Sequence, residues 1–263
     1  GAAAAAKAHR GPAATTTEAR AENALLQGKA EKAFTLFSAA ADSFVAIGPV
    51  EVAKRRHTYA IRLTDHGTRY GGTGLSLAIR LLDRLLADLP RDTASRGWAS
   101  AMNSLSIACE TLGERTDGPH GNALLARAVT AYEDALQVFT RECHPLDWAT
   151  TMQNLAGVLH RQGELAAGRR AGTALIARAV TALEATLQVL TRDDQLLHWA
   201  TTKQNLAIAL AAQGKLTAGK AGTAFLSRSV EACNDALQVT TRPDHPVDWA
   251  MTQQNLAVCH FLW

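Results

Sequence analysis

An all-α fold, built as a file of stacked helical hairpins, is what this 263-residue sequence predicts, and three observations predict it. A Trp-Ala pair recurs as Trp98-Ala99, Trp148-Ala149, Trp199-Ala200 and Trp249-Ala250, at steps of 50, 51 and 50 residues. Each pair has an arginine seven residues before its Trp (Arg91, Arg141, Arg192, Arg242) and a leucine seven residues after it (Leu105, Leu155, Leu206, Leu256). Fixed-period self-similarity marks one supersecondary unit that buries its apolar face against copies of itself. The second observation is apolar spacing at helical steps without strand alternation. The third is a hydrophobic content of 47%, mostly alanine and leucine, with only 5% aromatics. Those two residues lead the helix-propensity scale.

Along the chain, residues 1–17 (GAAAAAKAHRGPAATTT) contain no leucine-rich segment and are expected to be a flexible tail. The approximate units that follow are 18–48, 50–90, 98–142, 148–193 and 199–242, with a lone helix over 249–263. The copy at Trp148 shows the plan. A first helix, A, is predicted over 148–162, with Trp148, Met152, Leu155, Ala156 and Leu159 on one stripe. Asp147 is expected as its N-cap, as Asp248 is before Trp249. Gly163 is expected to end it, as Gly113 and Gly214 end theirs. A glycine-bearing connector leads to a second helix, B, over about 173–191, striped by Leu175, Ala179, Val180, Leu183, Leu187 and Leu190. Pro145 and Pro246 are placed in the links between units.

These residues carry a resemblance. The segment Ala24–Ala40 has Gly28 followed by Ala33-x3-Phe37-x2-Ala40. Helix A repeats as Tyr59-Ala60-x2-Leu63-x3-Gly67, Leu105-Ser106-x2-Cys109-x3-Gly113, Leu155-Ala156-x2-Leu159-x3-Gly163 and Leu206-Ala207-x2-Leu210-x3-Gly214. Helix B repeats as Ala78-x3-Leu82-x2-Leu85, Ala128-x3-Tyr132-x2-Ala135 and Ala179-x3-Leu183-x2-Thr186, and degrades to Ser229-x3-Cys233-x2-Ala236. The pattern resembles the tetratricopeptide repeat over roughly residues 18–263. It departs in length: Gly163 to Ala179 spans 16 residues where Gly28 to Ala33 spans five, and the extra eleven are expected to lengthen the turn and the start of helix B. The phrase DWAxTxQNLA resembles long-unit repeats of multidomain bacterial proteins and, more distantly, of kinesin light chains. The resemblance implies a right-handed α-solenoid of TPR-like helix-turn-helix repeats whose A helices line a concave, ligand-holding face.

Composition narrows the function classes. Net charge is +3 from 27 basic and 24 acidic residues, too balanced to argue for nucleic acid or an anionic membrane. No apolar run approaches the ~18 residues that span a bilayer. Cys109, Cys143, Cys233 and Cys259 form no CxxC pair, so reduced thiols and a cytoplasmic location are expected. The CHFLW ending leaves helix 249–263 without a B helix, which fits a cut from a longer protein, or packing on another chain and hence self-association.

The candidate ligand-binding residues lie on the A helices. Asn154, Asn205 and Asn255 recur at one site, with Ser104 in the earlier copy, and stacking would align them as a ladder. A carboxamide both donates and accepts, so it can pair with any peptide group; the alternative is a bond to a neighbouring helix end or loop carbonyl. Gln153, Gln204, Gln254, His57, His160 and Arg161 are expected to tune selectivity. Where the family's clamp for a C-terminal carboxylate has lysines and arginines, this chain has Gln153, Gly157, Gln204 and Ile208. The tryptophans are expected to wedge against the preceding helix B, and the recurrent arginines to cap helix B or bond the link. Gly214-x4-Gly219-Lys220-Ala221 imitates a phosphate-binding loop but follows a helix and lacks the hydroxyl, so it is expected to be a connector. Cys143-His144 and Asp244-His245 are matched by Thr93-Ala94 and Asp194-Gln195 in the other copies, and no catalytic, cofactor or metal constellation emerges. The expectation is a non-enzymatic scaffold or sensing module that binds another protein or an extended peptide. The alternatives are a peptide- or metabolite-gated regulator and a homo-oligomeric structural module.

Overall fold

A computed structural model describes residues 2–89 and 95–262, with side chains from residue 14 in the first stretch and from residue 96 in the second. The described residues are helical without a strand and divide into two compact units, one up to Val138 and one from Phe139 onward. Arg91 and Thr93-Ala94 lie outside the described residues.

The first unit holds α1 (Ala2–Leu26), α2 (Ala30–Asp42), α3 (Pro49–Tyr70), α4 (Gly74–Asp88), α5 (Ser95–Glu114) and α6 (Gly118–Leu136). They pack as successive hairpins, α1 on α2, α3 on α4 and α5 on α6, and α2 meets α3 as α4 meets α5. From Ala2 onward, the stretch expected to be a tail over 1–17 is instead the first part of α1. An alanine-rich segment has little side-chain entropy to lose in a helix, and Ala14 is buried against Phe44 and Val52. The core is built on Phe37 and Tyr59, whose rings stack at 4.6 Å, and on the buried Leu63, Leu81, Leu82, Leu125 and Tyr132. Such a ring pair is worth about 0.5–1.5 kcal/mol beyond its buried area.

The second unit holds α7 (Pro145–Leu165), α8 (Arg169–Leu187), α9 (Leu196–Leu216), α10 (Gly219–Leu237) and α11 (Pro246–Leu262). Here α7 pairs with α8 and α9 with α10, α8 leans on α9, and α11 packs on both α10 and α9. The A helices start earlier than the tryptophan suggests. Pro145 opens α7 after His144, so Asp147 sits inside the first turn and is not the N-cap; Asp248 likewise lies in the first turn of α11. Proline at the first helical position loses no hydrogen bond the helix needs, and an aspartate there meets the positive end of the helix dipole.

The glycines expected to end the A helices lie within them. Gly163 is buried in α7, and a Cβ placed on it would lie 2.6 Å from Ile176 Cγ1 and 3.1 Å from the Gly172 carbonyl oxygen of α8. Gly113 approaches Gly121, and Gly214 approaches Gly222, in the same way. These residues are bare because two helix backbones touch there. The chain crosses from α7 to α8 in residues 166–168 alone, so the extra eleven residues extend the helices and leave the turn short.

The tryptophans are half-buried in the first turn of each A helix, while Ala99, Ala149 and Ala200 beside them are fully buried. The outer faces of two are covered by the recurrent arginines: Arg192 lies 5.7 Å from the Trp199 ring centre and Arg242 5.4 Å from that of Trp249. Two of the recurrent arginines reach the end of the next helix B. Arg141 donates to the Gln188 carbonyl after α8 at 3.2 Å, and Arg192 donates to Gln238 Oε1 after α10 at 3.0 Å.

Candidate functional site

In the second unit, successive A helices are pinned together from one register, the fifth residue after Trp148 and after Trp199. Gln153 of α7 donates its side-chain N–H to the Thr202 hydroxyl of α9. Gln204 of α9 repeats the contact on α11, donating to the Thr252 hydroxyl and, at 2.8 Å, to the Asp248 carbonyl. Each threonine can accept because its own proton goes elsewhere: Thr202 donates to the His198 carbonyl at 2.7 Å and Thr252 to the Asp248 carbonyl at 2.8 Å. Counting back ten residues from the interior glycine, His57 holds the same register in α3, and its Nε2 meets Ser104 Oγ of α5 at 2.8 Å. Three of the residues expected to tune ligand selectivity, His57, Gln153 and Gln204, are therefore engaged between helices. The pin faces the neighbouring helix because a step of one residue turns a helix by 100°, which separates it from the next position along.

That next position carries the asparagines. Asn154, Asn205 and Asn255 stand at one register of α7, α9 and α11, each half-buried. Among the described residues, none of their carboxamides has a hydrogen-bond partner, so the expected alternative of a bond to a neighbouring helix end is not what these side chains make. Ser104, which replaces asparagine in α5, is the residue taken up by His57. Helices in contact lie about 8–10 Å apart, close to three residues of extended chain at about 3.3 Å each. The face thus offers a donor and acceptor to every third residue or so of a strand laid across it.

The remaining predicted residues flank this row. His160 is half-buried near the end of α7, and burial lowers its pKa against the opposing pull of Glu164. Arg161 pairs with Glu164 at 3.3 Å, both largely open to solvent. Gln254 has the pin register of α11 and is exposed.

Two features of the first unit escape sequence reasoning. The Glu110 carboxyl accepts from the Tyr132 hydroxyl at 2.9 Å, and burial pushes its pKa up to about 7 although that bond pulls the other way. A cleft of about 1060 Å³ opens where α1 stops at Leu26 while α3 runs on to Tyr70; its walls include Leu25, Ala30, Arg62, His66 and Tyr70. His66 and Tyr70 hold ring centres 5.1 Å apart, and the His66 Nδ1 is buried without a partner. The visible signal was only the unequal length of the first two hairpins.

The phosphate-loop imitation is helical at both ends, with Gly214 inside α9 and Gly219-Lys220-Ala221 opening α10. Cys109, Cys233 and Cys259 are buried and Cys143 exposed, all as free thiols; burial drives Cys109 up to about 11 and Cys233 up to about 12. Among the described residues, no group of three His, Cys, Asp or Glu side chains could hold a metal ion, and no helix is long and apolar enough to cross a membrane. No protein-family model matches this chain, and no curated protein matches it.

Proposed function

We propose that this chain is a non-enzymatic scaffold that binds another protein through an extended peptide segment, laid across the A-helix face of a TPR-like, right-handed α-solenoid. The observation that carries the reading is the contrast between adjacent registers. His57, Gln153 and Gln204 are engaged by neighbouring helices, whereas Asn154, Asn205 and Asn255, one residue on, stay half-buried and unpaired. The three carboxamides keep both a donor and an acceptor available at a face still open to solvent, so a ligand backbone can pair with them without breaking a bond inside the protein. Recognition through main-chain groups tolerates varied side chains, as a scaffold requires. The cytoplasm of a bacterium, as part of a larger signalling assembly, is the setting this reading implies.

The test is selection of a displayed random dodecapeptide library on the immobilised chain, followed by calorimetry with the enriched peptides. The expected result is enrichment on wild type and at least tenfold weaker binding to N154A/N205A, with the melting temperature held. Enriched peptides that bind the double variant equally well would remove the asparagine row from the site.

A further inference from the structure

The cleft in the first unit lies between two successive hairpins, with the turn from α1 to α2 on one side and the turn from α3 to α4 on the other. Its volume of about 1060 Å³ is at the upper end of the ~300–1,000 Å³ of small-molecule sites. Large apolar side chains stand open around it: Leu26 is 88% exposed and Tyr70 75%. The Tyr70 ring is steadied only by His66, at 5.1 Å between centres, and neither ring nitrogen of His66 has a hydrogen bond among the described residues. An aromatic ligand has here a ring pair to lie against, with Leu25 and Ala30 on the same walls.

Electrostatics select the sign of such a ligand. Of the four cations on the walls, Arg62 is already held, by Glu18 at 3.2 Å and by Glu22. Lys29, Lys32 and Arg69 remain without an ion pair, against two unpaired acids, Glu31 and Asp65. The helix ends add to that excess. Helix α2 starts at the cleft after Lys29, and α4 after Thr73, neither with a side-chain cap. Open amides in a first turn favour negative charge. The end of α3, whose carbonyls would repel an anion, is already covered. Arg115 donates to the Gly67 and Thr68 carbonyls at 2.8 and 2.7 Å.

We propose that this cleft is a binding site for a small aromatic carboxylate, with its ring against Tyr70 and His66 and its anionic group at the start of α2 beside Lys32 and Arg69. Cavity and ring pair set the aromatic part, while the unpaired cations and the uncapped helix starts set the charge. The site is independent of the peptide-binding reading, because Asn154, Asn205 and Asn255 belong to the second unit.

The experiment titrates the whole chain with 2-naphthoate, its neutral analogue 2-naphthamide and the cation 2-naphthylmethylammonium, read by calorimetry and by amide NMR shifts. The naphthoate should bind saturably, one per chain, and shift amides within 26–32 and 69–73. The amide should bind at least threefold more weakly and the cation more weakly still. Y70A and K32A/R69A, all at exposed positions, should each weaken the naphthoate at least fivefold and leave the melting temperature unchanged. N154A/N205A should bind it as wild type does. No saturable binding of any of the three at millimolar concentration would overturn the site, as would shifts confined to residues outside the cleft. Equal affinity for naphthoate and amide would overturn the anionic class, and full binding by Y70A would overturn the placement of the ring.

Discussion

The Gln153 side chain of α7 donates to the Thr202 hydroxyl of α9, two helices that are neighbours in space and 49 residues apart in sequence at this contact. Gln204 and Thr252 make the same bond one unit later, and the Gln204 Nε2 also donates to the Asp248 carbonyl. A net protein hydrogen bond contributes about 0.5–1.5 kcal/mol, so removing a buried pin should loosen the helix it holds. Gln204→Ala is expected to cost about 1–2 kcal/mol and to speed amide exchange across 246–262 well before the rest of the second unit. Gln254→Ala, at an exposed position, should change monomer stability by less than about 0.5 kcal/mol. Hydrogen exchange read by mass spectrometry checks both; equal protection of α11 in wild type and Gln204→Ala would show that the pin holds nothing.

In α3 the pin is a histidine, and its partner is displaced to Ser104 because Ala101 stands where the later receiving helices carry threonine. Burial holds the His57 pKa below its ordinary value, opposed by a hydrogen bond to the Ser100 backbone. The folded protein therefore prefers neutral His57, and stability linked to it is full above about pH 6.5 and declines as pH falls below that. H57Q/A101T rebuilds the glutamine–threonine pair. The double variant should lie within about 0.5 kcal/mol of wild type near pH 7.5 and hold its melting temperature better at about pH 5.5. H57A should lose about 1–2 kcal/mol at the higher pH. Thermal melts at the two pH values decide it: a double variant as unstable as H57A would mean that the α3–α5 contact does not tolerate the later geometry.

The number of hairpins and the alternation of A and B helices were legible because both rest on periodicity, which the repeated Trp-Ala pair and the apolar stripe expose directly. Helix ends were less legible. Pro145 is compatible with a link or a first turn, and only the packing of Ala149 beside Trp148 settles which. Gly163 carries the signature of a helix stop but serves a helix crossing, since a residue without Cβ suits both. The candidate site was half visible: Gln153 and Asn154 are adjacent and chemically alike, and the 100° between them decides which meets the next helix. The Glu110–Tyr132 bond was invisible because the other copies place His160 and Ala211 at the glutamate register, so no repeat advertised it.

The hairpin crossings predict a sharp contrast among glycines. A Cβ on Gly121 would lie 1.8 Å from the Thr116 carbonyl oxygen and 2.9 Å from that of Gly113, both backbone atoms that cannot swing away. Gly121→Ala should therefore force α5 and α6 apart and cost about 1–3 kcal/mol, the range of overpacked sites. Gly168, with an extended φ of −130° and no atom within 4 Å of the added Cβ, has room for alanine. Gly168→Ala should be neutral or stabilise by about 0.4–1 kcal/mol through the unfolded chain. Denaturant midpoints measured side by side check the pair, and a Gly121→Ala midpoint equal to that of Gly168→Ala would contradict the close approach.

Glu110 sets a pH dependence opposite in sign to that of His57. Burial raises the carboxyl from its ordinary value of 4.5 to about 7 in the folded protein, and Glu114 nearby adds to the rise. Between those values the folded chain retains a proton that the unfolded chain has released, so stability linked to Glu110 is full below about 4.5 and declines as pH rises through about 7. Glu110→Gln keeps an acceptor for the Tyr132 hydroxyl while removing the charge. The variant should match wild type near pH 5 and exceed it by about 1 kcal/mol near pH 8, a value discounted from about 1.4 kcal/mol per pKa unit because the group is not fully enclosed. Taking the difference between variant and wild type at each pH cancels the contributions of His57 and His160, which both proteins share. Denaturant unfolding from pH 5 to about 8 is the measurement. Parallel stability curves would show that Glu110 is ionised throughout and that Tyr132 donates to a carboxylate of ordinary acidity.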